Sequence, residues 1–157
     1  MSRAQSNLEI ATEFMKGFCE RGGFGMKFVR RSCSYQGGVS NDGLILINSK
    51  LKNNIPKMLS VFFHEIAHVE CRVNGTFPIY HGLKPKNQNN LSAKQLEKLR
   101  LAFLRTVVRA EKFVDKRAGA LMKEYFPFLR LHPQNPTNSK AYWDFYKRRI
   151  NKEFDTR

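Results

Sequence analysis

Within Val61-Phe62-Phe63-His64-Glu65-Ile66-Ala67-His68, two histidines stand four residues apart with a glutamate beside the first. On a helix that spacing puts both imidazoles on one face, one turn apart, within reach of a single metal ion. Zinc, one ion per chain, is the metal this pattern serves, and Glu65 stands where a carboxylate points toward the metal without ligating it. There it can take a proton from water as the water attacks a carbonyl carbon. The same pattern arises by chance in solvated helices, and a buried histidine is commonly a hydrogen-bonded core residue. Here the chain has only four histidines, two of them fall in the motif, and the flanking residues are apolar enough to be buried.

A catalytic zinc site takes three protein ligands and keeps a fourth position for water. The metzincin arrangement requires a third histidine six residues beyond His68, where this chain has Asn74. Two candidates remain, His81 in the segment after the motif and Glu111 further along. Glu111 shares a helical face with Val107, Val114 and Ala118, the face expected to pack inward. An acidic side chain there needs a partner, because an unpaired buried carboxylate is costly, and zinc supplies one. Asp115, one turn on, is placed to accept the second ring N–H of His64 or His68 and so fix its tautomer. Without the motif, Glu111 and Asp115 read instead as a salt-bridged helix face with Arg109 and Lys112. Cys71 would crowd the same face as a ligand and fits better as a core thiol. The oxyanion formed on a carbonyl wants one further donor, and Tyr80, His81, Tyr125 and His132 are the side chains available.

These residues need elements to hold them. Leu8, Ile10, Ala11, Phe14, Met15 and Phe18 recur at helical spacing over 6–21, and Gly22-Gly23 ends that helix. Residues 26–30 read as a short strand, followed by a loop through Cys33, Tyr35 and Gly37-Gly38. After the turn dipeptide Asp42-Gly43, Leu44-Ile45-Leu46-Ile47 reads as a buried strand. Asn53 or Asn54 caps the motif helix, Pro56 is tolerated in its first turn, and Gly75 stops it after Val73. Residues 74–91 form a long loop, of the length that is functional or disordered in small domains. Ser92-Ala93-Lys94-Gln95 is a capping box that opens a helical pattern through Tyr125, about 50 Å if unbroken and with room for a kink. Pro127 ends it. The expected domain is 1–130, with 131–157 as a basic aromatic extension packed on it or appended to it. The expected class is α+β: a small zincin-like domain with a short mixed or antiparallel sheet packed on the motif helix and the long ligand-bearing helix.

The chain has 157 residues, 41% of them hydrophobic, enough for one domain with a core that needs no disulfides. Its formal net charge is +15, which points to nucleic acid, an anionic surface or an acidic protein as a partner. Three cysteines, Cys19, Cys33 and Cys71, with no CxxC pair fit a reducing compartment. No stretch has the form of a signal peptide or approaches the ~18 apolar residues of a membrane span, so a cytoplasmic location is expected. In the tail, Tyr142, Trp143, Tyr146, Lys147, Arg148 and Arg149 combine stacking groups with cations, as single-stranded nucleic-acid binders do. The plainer reading docks the aromatics on the core and leaves the cations in water.

Gly43-Leu44-Ile45-Leu46-Ile47-Asn48, then HExxH, then Glu111-x-x-x-Asp115 and an Ala- and Leu-rich run to Pro127 resemble the gluzincin metallopeptidases of the ImmA/IrrE-like family. The resemblance covers roughly residues 43–127, and HExxH is its most specific part. It implies His64, His68 and Glu111 as zinc ligands, Glu65 as general base, Asp115 behind the ligands, and hydrolysis of a peptide bond in a specific protein substrate. The long insertion between His68 and Glu111 and the basic tail depart from the family pattern. Tyr80-His81-Gly82 also resembles the later His-Gly context of SprT-like proteases, which act on DNA-associated proteins; that reading makes His81 the third ligand and leaves Glu111 and Asp115 to salt bridges. A different class of function is a basic, zinc-stabilised module that binds nucleic acid or protein. Salt-sensitive nucleic-acid binding that survives Glu65→Gln distinguishes it from the enzyme.

Overall fold

The computed structural model describes residues 3–32, 36–76, 90–132 and 139–155. The motif helix is the element around which the others pack. Helix α2, Ile55–Val73, is capped by Asn54, whose side chain accepts from the Lys57 backbone N–H, and carries Pro56 in its first turn. Every residue from 58 to 67 is buried. A helix apolar all round must be covered all round. The preceding short 3-10 helix, Ser49–Asn53, is capped by Asn48.

One cover is a three-stranded mixed sheet, β1 Met26–Val29, β2 Gly37–Val39 and β3 Ile45–Asn48, in the order β1-β3-β2. β1 pairs parallel with β3, Met26 opposite Ile45, and β2 pairs antiparallel with it, Gly37 opposite Ile47 and Val39 opposite Ile45. The central strand is the apolar run expected to be buried. β2 lies in the stretch read from sequence as loop, and that reading is corrected: Gly37-Gly38 lacks strand propensity, but pairing with β3 decides its conformation. Gly43, at φ 84, turns the chain from β2 into β3. Arg72, in the last turn of α2, donates to the carbonyls of Ser40 and Asn41 and ties that turn to the helix.

The second cover is helix α1, Arg3–Gly22, which places Ala11, Met15 and Cys19 in the core. Phe14 and Phe18 meet Phe62, Phe63, Tyr125 and Phe126 in an aromatic cluster with neighbouring rings 4.9–6.2 Å apart. Offset and edge contacts of this kind add to simple burial. The third cover is helix α3, Ala93–Tyr125, which begins at the expected capping box, Ser92 with Gln95. It is assigned as one continuous helix of 33 residues, so the kink allowed for is not needed. Small side chains let α2 and α3 approach closely: Ala67, Cys71 and Val114 form one buried cluster, and Arg117 pairs with Glu70 across the same seam through both carboxylate oxygens.

Helix α4, Ser139–Asp155, packs on α3. Tyr146 and Ile150 are buried against Phe103, Leu104, Val107 and Val108, with Trp143 packed on the same cluster. The three fall at the i, i+3, i+7 spacing of a helix's inward stripe. Among the described residues no helix is long and apolar enough to cross a membrane. The protein is mixed α+β, with four α-helices and one small sheet among the described residues.

Candidate metal centre

Two facing stripes define the α2–α3 seam, His64, Ala67, His68 and Cys71 on one helix and Glu111, Val114, Asp115 and Ala118 on the other. Both follow the i, i+3, i+4, i+7 pattern, so each puts its polar pair on the partner helix rather than toward water. His64 and Glu111 are buried and His68 is half-buried, which leaves the His68 side as the open one.

The His64 and His68 Nε2 atoms are 3.2 Å apart, and Glu111 lies 3.4 Å from each, through Oε2 to His64 and Oε1 to His68. All the ligand atoms lie within 4.8 Å of one another. The two Glu111 contacts run through different oxygens, so a single oxygen serving as ligand would have to shift toward the second imidazole to reach the roughly 3.3–3.5 Å ligand spacing of a tetrahedral zinc site; the three residues could hold a metal ion. His64 Nδ1 lies 3.0 Å from Asp115 Oδ1. With Nδ1–H donating to that carboxylate, Nε2 is free to ligate.

Burial pulls the His64 imidazole toward the neutral form, but its hydrogen bonds to Asp115 and Glu111 outweigh burial and raise it to about 10. Burial likewise raises the Glu111 carboxyl, yet its hydrogen bonds to His64 and His68 hold it well below the usual carboxylate range. Both shifts act in the same direction, toward an imidazolium at His64 paired with the Glu111 carboxylate. Glu65 is buried beside the pair, and burial raises its pKa, with His64 and His68 acting against it. A carboxyl shifted upward in that way is a better base for water than a free one. Strand β2 passes directly over it: a Cβ at Gly37 would lie 3.3 Å from Glu65 Cγ and 2.5 Å from Val61 Cγ1.

Among residues singled out by sequence, the fold brings together His64, Glu65, His68, Glu111 and Asp115. His81 and Tyr80 lie outside the described residues. His132 follows α3, and its backbone N–H donates to Ser60 Oγ. Tyr125 is in the aromatic cluster, its ring stacked on Phe63 at 5.9 Å. Cys71 is buried beside Val114, and burial raises its thiol pKa.

In the tail the arrangement is the plainer of the two read from sequence, aromatics docked on the core: Tyr146 is 2% exposed and Trp143 packs on the same apolar cluster at the α3–α4 interface. Lys147, Arg148 and Arg149 are exposed, while Tyr142 lies outside the residues whose side chains the structure describes. Burial and the negative charge of Glu111 raise the pKa of the Tyr146 hydroxyl, a proximity to the site that sequence reasoning missed. The 143/146/150 stripe was the available signal that it faces inward. The chain matches no protein-family model, no curated protein and no solved structure.

Proposed function

We propose that the protein is a zinc-dependent endopeptidase of zincin type, acting on a specific protein substrate. The observation that carries this reading is the gathering of His64, His68 and Glu111, whose ligand atoms lie within 4.8 Å of one another, with an intact Glu65 beside them. A purely structural site has no need of that glutamate. His64, His68 and Glu111 would hold the ion, and Asp115 orients His64. Zinc bound there supplies Lewis-acid polarisation of the scissile carbonyl and acidifies water. Glu65 accepts the proton of the attacking water and delivers it to the leaving amine. Among the described residues β2 is an edge strand of the sheet, and an extended substrate can pair with its free edge so that the scissile bond lies over Glu65.

The test compares parent, Glu65→Gln and His64→Ala on an unfolded protein substrate such as denatured casein, with zinc content measured alongside. The expected result is cleavage by the parent, none by either variant, and zinc retained by Glu65→Gln and lost by His64→Ala. Cleavage that persists in Glu65→Gln refutes the proposal. The exposed Lys147, Arg148 and Arg149 favour a second reading, in which a basic face recruits nucleic acid or an acidic protein. Nucleic-acid binding that weakens steeply with salt and is unchanged in Glu65→Gln would support it.

A further inference from the structure

Helix α3 has a second face, turned away from the metal seam. Lys94, Lys98, Arg105, Arg109, Lys116 and Lys123 are all exposed, and their spacings of four and seven residues keep them on one stripe. Val107, which is buried, stands about two and a half turns from both Lys98 and Lys116, so the stripe points opposite to the side that α2 and α4 cover. From Lys94 to Lys123 it runs about 44 Å. The carboxylates of α3 stand elsewhere. Glu111 is buried, Asp115 faces His64, Glu97 is paired with Arg100, and Glu124 is about 100° around the helix from Lys123.

A helix face that merely meets water ordinarily mixes its signs, because opposite charges at i, i+4 stabilise it and like charges there repel. Here Lys94 with Lys98, and Arg105 with Arg109, are like pairs at that spacing. A linear polyanion relieves the repulsion. We propose that the outer face of α3 binds the phosphate backbone of duplex nucleic acid, without reading its sequence. A DNA duplex presents one negative charge per ~1.7 Å of its axis, dense enough to meet each cation along a straight rod. Arginine offers paired N–H donors to phosphate oxygens and lysine a point charge, and neither contact depends on the base. A single strand fits less well, since it is held largely by stacking, and the tail's rings Trp143 and Tyr146 pack on α3. The scattered carboxylates of an acidic protein match a continuous 33-residue helix less well than a polyanion of regular pitch. The stripe uses neither the metal ligands nor the α4 cations, so it stands independently of both readings above. One helix then carries Glu111 toward the histidines and its cations toward the duplex.

The experiment uses the full chain and a mixed-sequence DNA duplex of about 20 base pairs, longer than the ~13 that 44 Å spans. Fluorescence anisotropy follows binding over about 0.05–0.3 M salt. The variants are Arg105→Gln with Arg109→Gln and Lys116→Gln on α3, and Lys147→Gln with Arg148→Gln and Arg149→Gln on α4. Both triples remove the same charge from exposed positions. Six phosphate contacts give the parent a slope of log K against log salt of about −5. The α3 triple is expected to bring the slope to about −2.7 and to weaken binding on the order of 100- to 1,000-fold at about 0.1 M salt. Its melting temperature should stay close to the parent's. The α4 triple should bind within about tenfold of the parent. An equal or larger loss in the α4 triple assigns the binding to α4 or to net charge and overturns the inference. So does a parent with no salt-dependent duplex binding. Tighter binding of the single strand of the same sequence, or of polyglutamate at equal salt, names a different partner and also overturns it.

Discussion

Gly37→Ala probes the contact between sheet and motif helix. The added methyl would sit 2.5 Å from Val61 Cγ1, 3.1 Å from the Leu46 carbonyl oxygen and 3.3 Å from Glu65 Cγ. Val61 is 1% exposed and has no free space to enter, and the Leu46 carbonyl belongs to the paired central strand. Neither gives way easily, so β2 lifts off α2 or Glu65 turns aside. Overpacking of this kind costs about 1–3 kcal/mol, which in a chain of this size lowers Tm by roughly 2–12 °C. On the proposed function, a displacement of about 1 Å at Glu65 costs on the order of 100-fold in rate. His64, His68 and Glu111 come from α2 and α3, so on the same proposal zinc affinity should stay within about threefold of the parent. Melting curves with and without zinc, chelator competition and casein cleavage together read all three. A variant with parental Tm and parental cleavage would show that β2 does not press on Glu65, and the edge-strand account of substrate binding would go with it.

Three other perturbations follow from the same geometry. In the metal-free protein His64 is raised to about 10 from its ordinary 6.5, so its contribution to stability is fully present below about pH 6.5 and is lost as pH rises through 10; Tm of the metal-free protein should fall between pH 7 and 10, and a flat profile there refutes the buried imidazolium. Zinc must displace that proton, so its apparent affinity, followed by chelator competition, should rise about tenfold per pH unit over the same interval. Asp115→Asn keeps an acceptor for His64 Nδ1 but removes the charge, and should weaken zinc about tenfold in the same titration. Ser92→Ala breaks the capping box far from the site; a loss of about 0.5–2 kcal/mol in denaturant unfolding with unchanged zinc affinity is expected.

What the sequence disclosed divides along physical lines. The motif was legible because His64, Glu65 and His68 lie within five residues on one helix, so local periodicity alone fixes their relation. Glu111 and Asp115 were legible one step further out, as acidic residues on an otherwise apolar helical stripe. β2 was not, because Gly37-Gly38-Val39 owes its strand conformation to β3 and to the space over Glu65. Tyr146 was visible as an aromatic residue among cations and was read for its ring, whereas its burial against α3 depends on where α4 docks. No property of residues 139–155 alone states that docking, although the spacing of Trp143, Tyr146 and Ile150 marks the face involved.

A site kept for a ligand and a strut kept for the fold differ in energetics. For Glu65 burial outweighs the attraction of His64 and His68, whereas for His64 and Glu111 hydrogen bonding outweighs burial; even so, apolar replacement of such buried pairs is often neutral or stabilising by about 1–4 kcal/mol. The double variant His64→Leu with Glu111→Leu should therefore melt, metal-free, at or above the parent, since both new side chains face Ala67 and Val114 across a seam that is otherwise apolar. Glu111→Leu alone should melt lower, because it removes one of the carboxylates, with Asp115 and Glu65, that balance the buried His64 imidazolium. The two measurements separate a site from a strut. If the double variant falls well below the parent and the single variant does not, the three side chains hold α2 to α3 as a structural ion cluster, and metal binding is no longer needed to explain why they are there.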